Sequence, residues 1–125
     1  MSSFNFDFNF IKSGAPIVTL SSFGIAFNRL SRSLLGFPAK INIGFDEGAR
    51  AIGIQAHDEE SDILSYEFES RVKDEWIRIG CKDFIKYLST ITQIDFSTKA
   101  KQFIAEFDET SKTLIIIVDE GHMKK

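Results

Sequence analysis

Two segments of this chain carry the same pattern a fixed distance apart. Phe45-Asp46-Glu47 is followed by Arg50, Ile52 and Ile54. Phe107-Asp108-Glu109 is followed by Lys112, Leu114 and Ile116, an offset of 62 at every pair. On both sides of the first polar turn, apolar residues alternate with others, the period-two signature of a β-hairpin with one buried face, and the second turn is likewise flanked by two apolar segments. Ile41, Ile43 and Phe45 with Ile52 and Ile54 place the first hairpin over 41–54, and Asp46 to Ala49 supply its turn. Residues 102–107 and 113–118 flank the second turn. Upstream of each hairpin stands a short apolar strand and then a helical pattern, from Ile25 to Leu35 and from Ile77 to Ile91. A strand-helix-hairpin unit leaves an apolar face that one copy cannot cover, so two copies are expected to pack on one core. The expected fold is therefore α+β and β-rich, with two tandem strand-helix-hairpin units in a single domain. The first unit covers about 17–56, an acidic connector about 57–75, and the second unit about 76–120.

Local signals fill in the elements. Ile17 to Leu20 reads as a strand. Asn28 suits a helix N-cap, and Leu30, Leu34 and Leu35 follow on one helical face. Gly36 and Pro38 stop that helix. Phe84, Leu88 and Ile91 mark one face of a second helix over 83–91. Near the start, Phe4, Phe6, Phe8 and Phe10 alternate with Asn5, Asp7 and Asn9, a strand with one apolar face. That face either covers the chain's own core or pairs with a second copy, which would make a homo-oligomer.

Composition narrows the function. At 125 residues and 43% hydrophobic, the chain is long enough for a core without staples. Its single cysteine, Cys81, excludes an internal disulfide and favours a reducing compartment. No apolar run approaches the ~20 residues of a membrane span, and the first residues lack the pattern of a signal peptide. A cytoplasmic protein without membrane contact is expected. The net charge of −3 is uneven: +2 over residues 1–50, −6 over 51–75 and +1 over 76–125. A nucleic-acid surface on such a chain has to be local. Cys81 has no histidine near it in sequence, and His57 lies beside Asp58, Glu59 and Glu60, adjacent residues that rarely converge on one ion. Phosphate-cradling glycine loops, nucleophile elbows and paired catalytic carboxylates are not found, so neither a cofactor nor an enzyme is expected.

The first unit reads Gly24-Ile25-Ala26-Phe27-Asn28, then Leu35-Gly36-Phe37, then the hairpin Ile41 to Ile54. In this order and spacing it resembles the AbrB/MraZ-type swapped-hairpin family, over about 40 of the 125 residues. The resemblance implies a DNA-binding regulator built as an intertwined dimer of such units, which a tandem repeat would form within one chain. The chain departs from the family's pattern at Asn28, where proline is usual, at Ile25, where a polar or basic residue is usual, and at Ser21-Ser22-Phe23, which carries no Arg or Lys. The candidate contacts to double-stranded DNA are Arg29 and Arg32 on the first helix with Lys40 and Arg50 nearby, and Lys82, Lys86, Lys99 and Lys101 in the second half. Lys and Arg neutralise phosphates and release counterions, and Arg also reads guanine bidentately. The expected function is a non-catalytic, DNA-binding transcriptional regulator. The alternative is a protein-interaction or assembly module that does not bind DNA.

Overall fold

Alternation of branched apolar residues with polar ones makes short strands the commonest element of this chain. A computed structural model describes residues 15–124. The elements run β1 (Ile17–Leu20), β2 (Gly24–Phe27), α1 (Arg29–Leu34), β3 (Lys40–Asp46), β4 (Ala51–Ala56), β5 (Tyr66–Glu67), β6 (Ile77–Gly80), α2 (Lys82–Thr92), β7 (Lys101–Ile104), β8 (Glu106–Asp108) and β9 (Thr113–Ile117). The fold is α+β and strand-rich. Its strands form two antiparallel sheets, one ordered β6-β2-β1-β7 and one ordered β5-β3-β4-β9-β8. The Phe4 to Phe10 stripe, with the oligomer contact expected of it, lies outside the described residues.

The two hairpins share one register. In the first, Phe45 faces Ile52 and Asp46 faces Ala51. In the second, Phe107 faces Leu114 and Asp108 faces Thr113. Each pair in the second is the first shifted by the offset seen in sequence. The turns match as well. Arg50 and Lys112 both close their loops in the left-handed region, at φ 54°. Each aspartate also bonds its own turn, though at different positions: the Asp46 carboxylate accepts the Ala49 N–H, three residues on, at 3.1 Å, and the Asp108 carboxylate accepts the Thr110 N–H, two residues on, at 3.0 Å. A short side chain that bonds its own turn is the reason Asp recurs there.

The strand expected over 102–107 departs from this pattern. Residues 101–104 leave the hairpin and pair with β1, Ile104 opposite Ile17. Only β8, from Glu106, pairs with β9. The change of sheet falls at Ala105, which is buried and donates its N–H to the Pro16 carbonyl at 2.9 Å. A single methyl is small enough for the strand to turn the corner where two sheets meet.

Between the sheets lies one core. Val18, Leu20, Ile25, Phe27, Ile77, Ile79 and Phe103 point inward from the first sheet, and Ile41, Ile52, Ile54, Leu114 and Ile116 from the second. Ile85 and Leu88 of α2 close one side. The acidic connector contributes as well: Phe68 is wholly buried and meets Phe27 edge-on, with ring centroids 5.1 Å apart. The connector therefore holds a core residue.

Both helices are fixed at their starts by what precedes them. The Asn28 side-chain oxygen accepts from the Ser31 N–H, the Ser31 hydroxyl and the Ile17 N–H, at 3.0, 2.9 and 3.0 Å. It thus caps α1 and ties it to β1 at once. At the other end, Gly36 takes φ 83°, and the N–H groups of Gly36 and Phe37 turn back to the carbonyls of Ser33 and Arg32. This is the glycine-closed helix end that Leu35-Gly36 announces. In the partner position, β6 runs into α2 through Cys81. There β2 and β6 pair antiparallel, with Gly24 opposite Gly80 and Phe27 opposite Ile77. Each strand therefore meets the other in the same way, head against tail.

Candidate nucleic-acid interface

The expected helix face is already occupied by the fold itself. Arg32 donates from Nε and one terminal nitrogen to both oxygens of Glu69, at 3.0 and 2.8 Å, and from the other to the Glu75 carbonyl at 3.2 Å. Its side chain is 7% exposed and that of Glu69 26%. The Glu69 hydrogen bonds raise the Arg32 pKa beyond its already high value, so this side chain stays charged. Its guanidinium also lies 5.4 Å from the centre of the Phe37 ring. Arg29 is exposed but sits 3.5 Å from Glu75. The i, i+3 spacing does bring Arg29 and Arg32 together, both over Phe37. It brings them onto a surface where two carboxylates neutralise them.

The other expected contacts are scattered. Lys40 stands opposite Glu67 in the β3–β5 register. Arg50 closes the first hairpin turn and donates to the Glu47 carbonyl at 2.9 Å. Lys82 and Lys86 are exposed on α2.

A different face gathers cations. Along the four-stranded sheet the register lines up Arg78, Ala26, Thr19 and Gln102, one residue from each strand. Their neighbours in sequence, Ile77, Ile79, Ile25, Phe27, Val18, Leu20 and Phe103, are buried, so by strand alternation this row faces outward. Two adjoining depressions lie on that face and share Thr19, Ala100 and Gln102. One, of about 360 Å³, is walled by Trp76, Arg78 and Phe23. The other, of about 380 Å³, is walled by Lys99, Lys101, Met123 and Lys124. Among the described residues, no carboxylate lines either depression. Among the described residues, Arg78, Lys99, Lys101 and Lys124 take part in no ion pair.

Local structure explains how the four cations come together. Arg78 follows from the alternation of β6. The turn before β7 is built on Asp95, whose carboxylate accepts from the Thr98 and Ser97 hydroxyls at 2.6 and 2.7 Å and from the Ser97 N–H at 2.9 Å. Those bonds, the Thr98 hydroxyl first, hold its pKa well below the usual carboxylate range. Lys99 and Lys101 follow this turn and line the second depression. On the edge of β7, Met123 bridges Phe103 and the Lys124 N–H donates to the Gln102 carbonyl at 2.7 Å. This carries Lys124 to the groove and covers a strand edge that would otherwise be open. Phe23 lies against Gly80, where an added Cβ would stand 3.3 Å from its ring.

Sequence reasoning had named Lys99 and Lys101 but not Arg78, Trp76 or Lys124. The period of two could have found Arg78 and Trp76, since both alternate with Ile77 and Ile79. Nothing in the sequence marks where Lys124 docks.

The remaining polar candidates serve other purposes. Cys81 is half-buried, and burial pushes its thiol up to about 11, so it is not a thiolate nucleophile near neutral pH. His57 Nδ1 faces the Asn42 amide at 3.0 Å, and that amide also donates to the Leu64 carbonyl, pinning the connector to β3. Among the described residues, no group of three His, Cys, Asp or Glu side chains converges as metal ligands do, and no helix is long and apolar enough to cross a membrane. No family model, no curated protein and no solved structure matches the chain.

Proposed function

We propose that this chain is a non-catalytic DNA-binding regulatory protein, and that its contact surface is the outer face of the four-stranded sheet, not the face of α1. The observation that carries this reading is the groove lined by Arg78, Lys99, Lys101 and Lys124, with no carboxylate among the described residues that line it. On a chain of net charge −3 such a concentration of cations is a local positive surface of the kind a polyanion needs. The two strand-helix-hairpin segments are read as tandem copies of one swapped-hairpin unit. The shared register of the two hairpins and the reciprocal pairing of β2 with β6 support that reading. A second reading, an assembly module that binds no DNA, draws support from the neutralised α1 face, where Glu69 and Glu75 meet Arg32 and Arg29.

The salt dependence of binding separates the two. Four phosphate contacts give a slope of log affinity against log salt of about −3 to −4. Fluorescence anisotropy of a labelled mixed-sequence DNA, titrated at several salt concentrations, measures it. A slope in that range is expected. Absence of binding even at low salt rejects the DNA reading and leaves the assembly module.

A further inference from the structure

We infer that the strand held in this groove is single, its bases stacked on Trp76 and Phe23 and its phosphates on Lys99, Lys101 and Lys124. The inference rests on the DNA-binding reading above and narrows it. Phe23 is 47% exposed on the outward face, next to Arg78 and across the same depression from Trp76. The core gains nothing from an aromatic ring left in water, whereas every nucleic-acid base offers a π-face to stack on it. The floor between the rings is Ala26 and Thr19, side chains short enough to let a flat base approach.

Dimensions argue in the same direction. Four strands spaced ~4.8 Å apart are ~14 Å across before any side chain is added. The major groove of B-DNA is ~12 Å wide and admits a helix or a two-stranded ribbon. This sheet face is therefore too broad to enter a major groove. The aromatic residues stand at the β6 side of the face and the lysines at the β7 side, so bases and phosphates have separate walls.

Trp76 is the chain's single tryptophan, so its emission reports this groove alone. The experiment titrates the full chain with a 12-nucleotide oligo(dT), with an oligo(U) of the same length, and with a mixed-sequence duplex, following Trp76 fluorescence and the anisotropy of labelled strands. Either single strand is expected to quench Trp76 and to bind about tenfold more tightly than the duplex, and the two arms tell whether DNA or RNA is the better source of that strand. Phe23→Ala is expected to weaken single-strand binding about fivefold or more. Its ring is exposed, so the fold survives, as circular dichroism will check. Trp76→Phe retains a stacking ring and is expected to retain most of the affinity. Duplex binding as tight as single-strand binding, or a Phe23→Ala variant with unchanged affinity, overturns the inference while leaving DNA binding in place. Failure of every nucleic acid to bind overturns both.

Discussion

Replacing Arg32 with alanine is expected to destabilise the protein by about 3 kcal/mol, because it leaves the Glu69 carboxylate without its partner in a largely buried setting. In a chain of this size that lowers the Tm by about 10 °C. Four interactions are lost together: two hydrogen bonds to Glu69, one to the Glu75 carbonyl, and the stacking on Phe37. The cost comes mainly from the orphaned charge, so removing both partners is milder than removing one. Arg32→Met/Glu69→Leu is accordingly expected to recover much of the loss. Exposed Lys82→Ala stays within about 0.5 kcal/mol of the parent. Thermal denaturation of the four proteins checks the series. DNA affinity per folded molecule is expected to be unchanged in Arg32→Ala. Parent-like stability with lost affinity would instead make Arg32 a phosphate contact.

Gly24→Ala is expected to cost at least about 3 kcal/mol or to prevent folding. A Cβ at position 24 would stand 1.9 Å from the Ile79 carbonyl oxygen and 2.8 Å from the Cys81 nitrogen. Both obstacles are backbone, and neither can rotate away. The strand β2 sits between β1 and β6, so relief requires opening the β2–β6 pairing or the Cys81 N–H bond to the Phe23 carbonyl at 3.0 Å. Two other glycines are the controls. Gly36→Ala meets open space, and its cost is only that of the left-handed backbone, about 1 kcal/mol. Gly48→Ala has neither clash nor positive φ and is expected to be nearly neutral. Urea denaturation orders the three. A Gly24→Ala protein as stable as the Gly48→Ala protein would contradict the strand pairing on which the groove is built.

What was legible in the sequence follows from what its patterns measure. A period of two tells which side of a strand a residue faces, so the inward set of Ile25, Phe27, Ile52 and Ile54 could be read directly, whereas the unbroken apolar run Leu114 to Val118 shows no side. Asn28, Leu35-Gly36 and Phe45-Asp46-Glu47 are local chemistry, and the caps and turns they imply are present. Alternation does not tell which sheet a strand joins. Phe103, Ala105 and Phe107 keep one phase across a corner, so residues 102–107 read as one strand although they serve two sheets. The candidate site was less legible for a related reason. An arginine's partner is set by tertiary structure: Glu69 lies 37 residues from Arg32. Counting cations along α1 therefore identified a positive face that the connector cancels. Arg78 and Lys124 reach the groove from β6 and from the segment after β9, which only the completed fold brings together.

The account turns on which face meets the polyanion, and a paired charge reversal decides it. Lys99→Glu/Lys101→Glu and Lys82→Glu/Lys86→Glu change the net charge by the same amount on exposed or half-exposed lysines. Any difference in nucleic-acid affinity between them therefore reports position and not overall charge. The account predicts that the first variant loses at least tenfold at constant salt, the fall expected for two reversed phosphate contacts, while the second stays within a few-fold of the parent. Equal losses in the two, or a larger loss in the α2 variant, would contradict the assignment of the sheet's outer face.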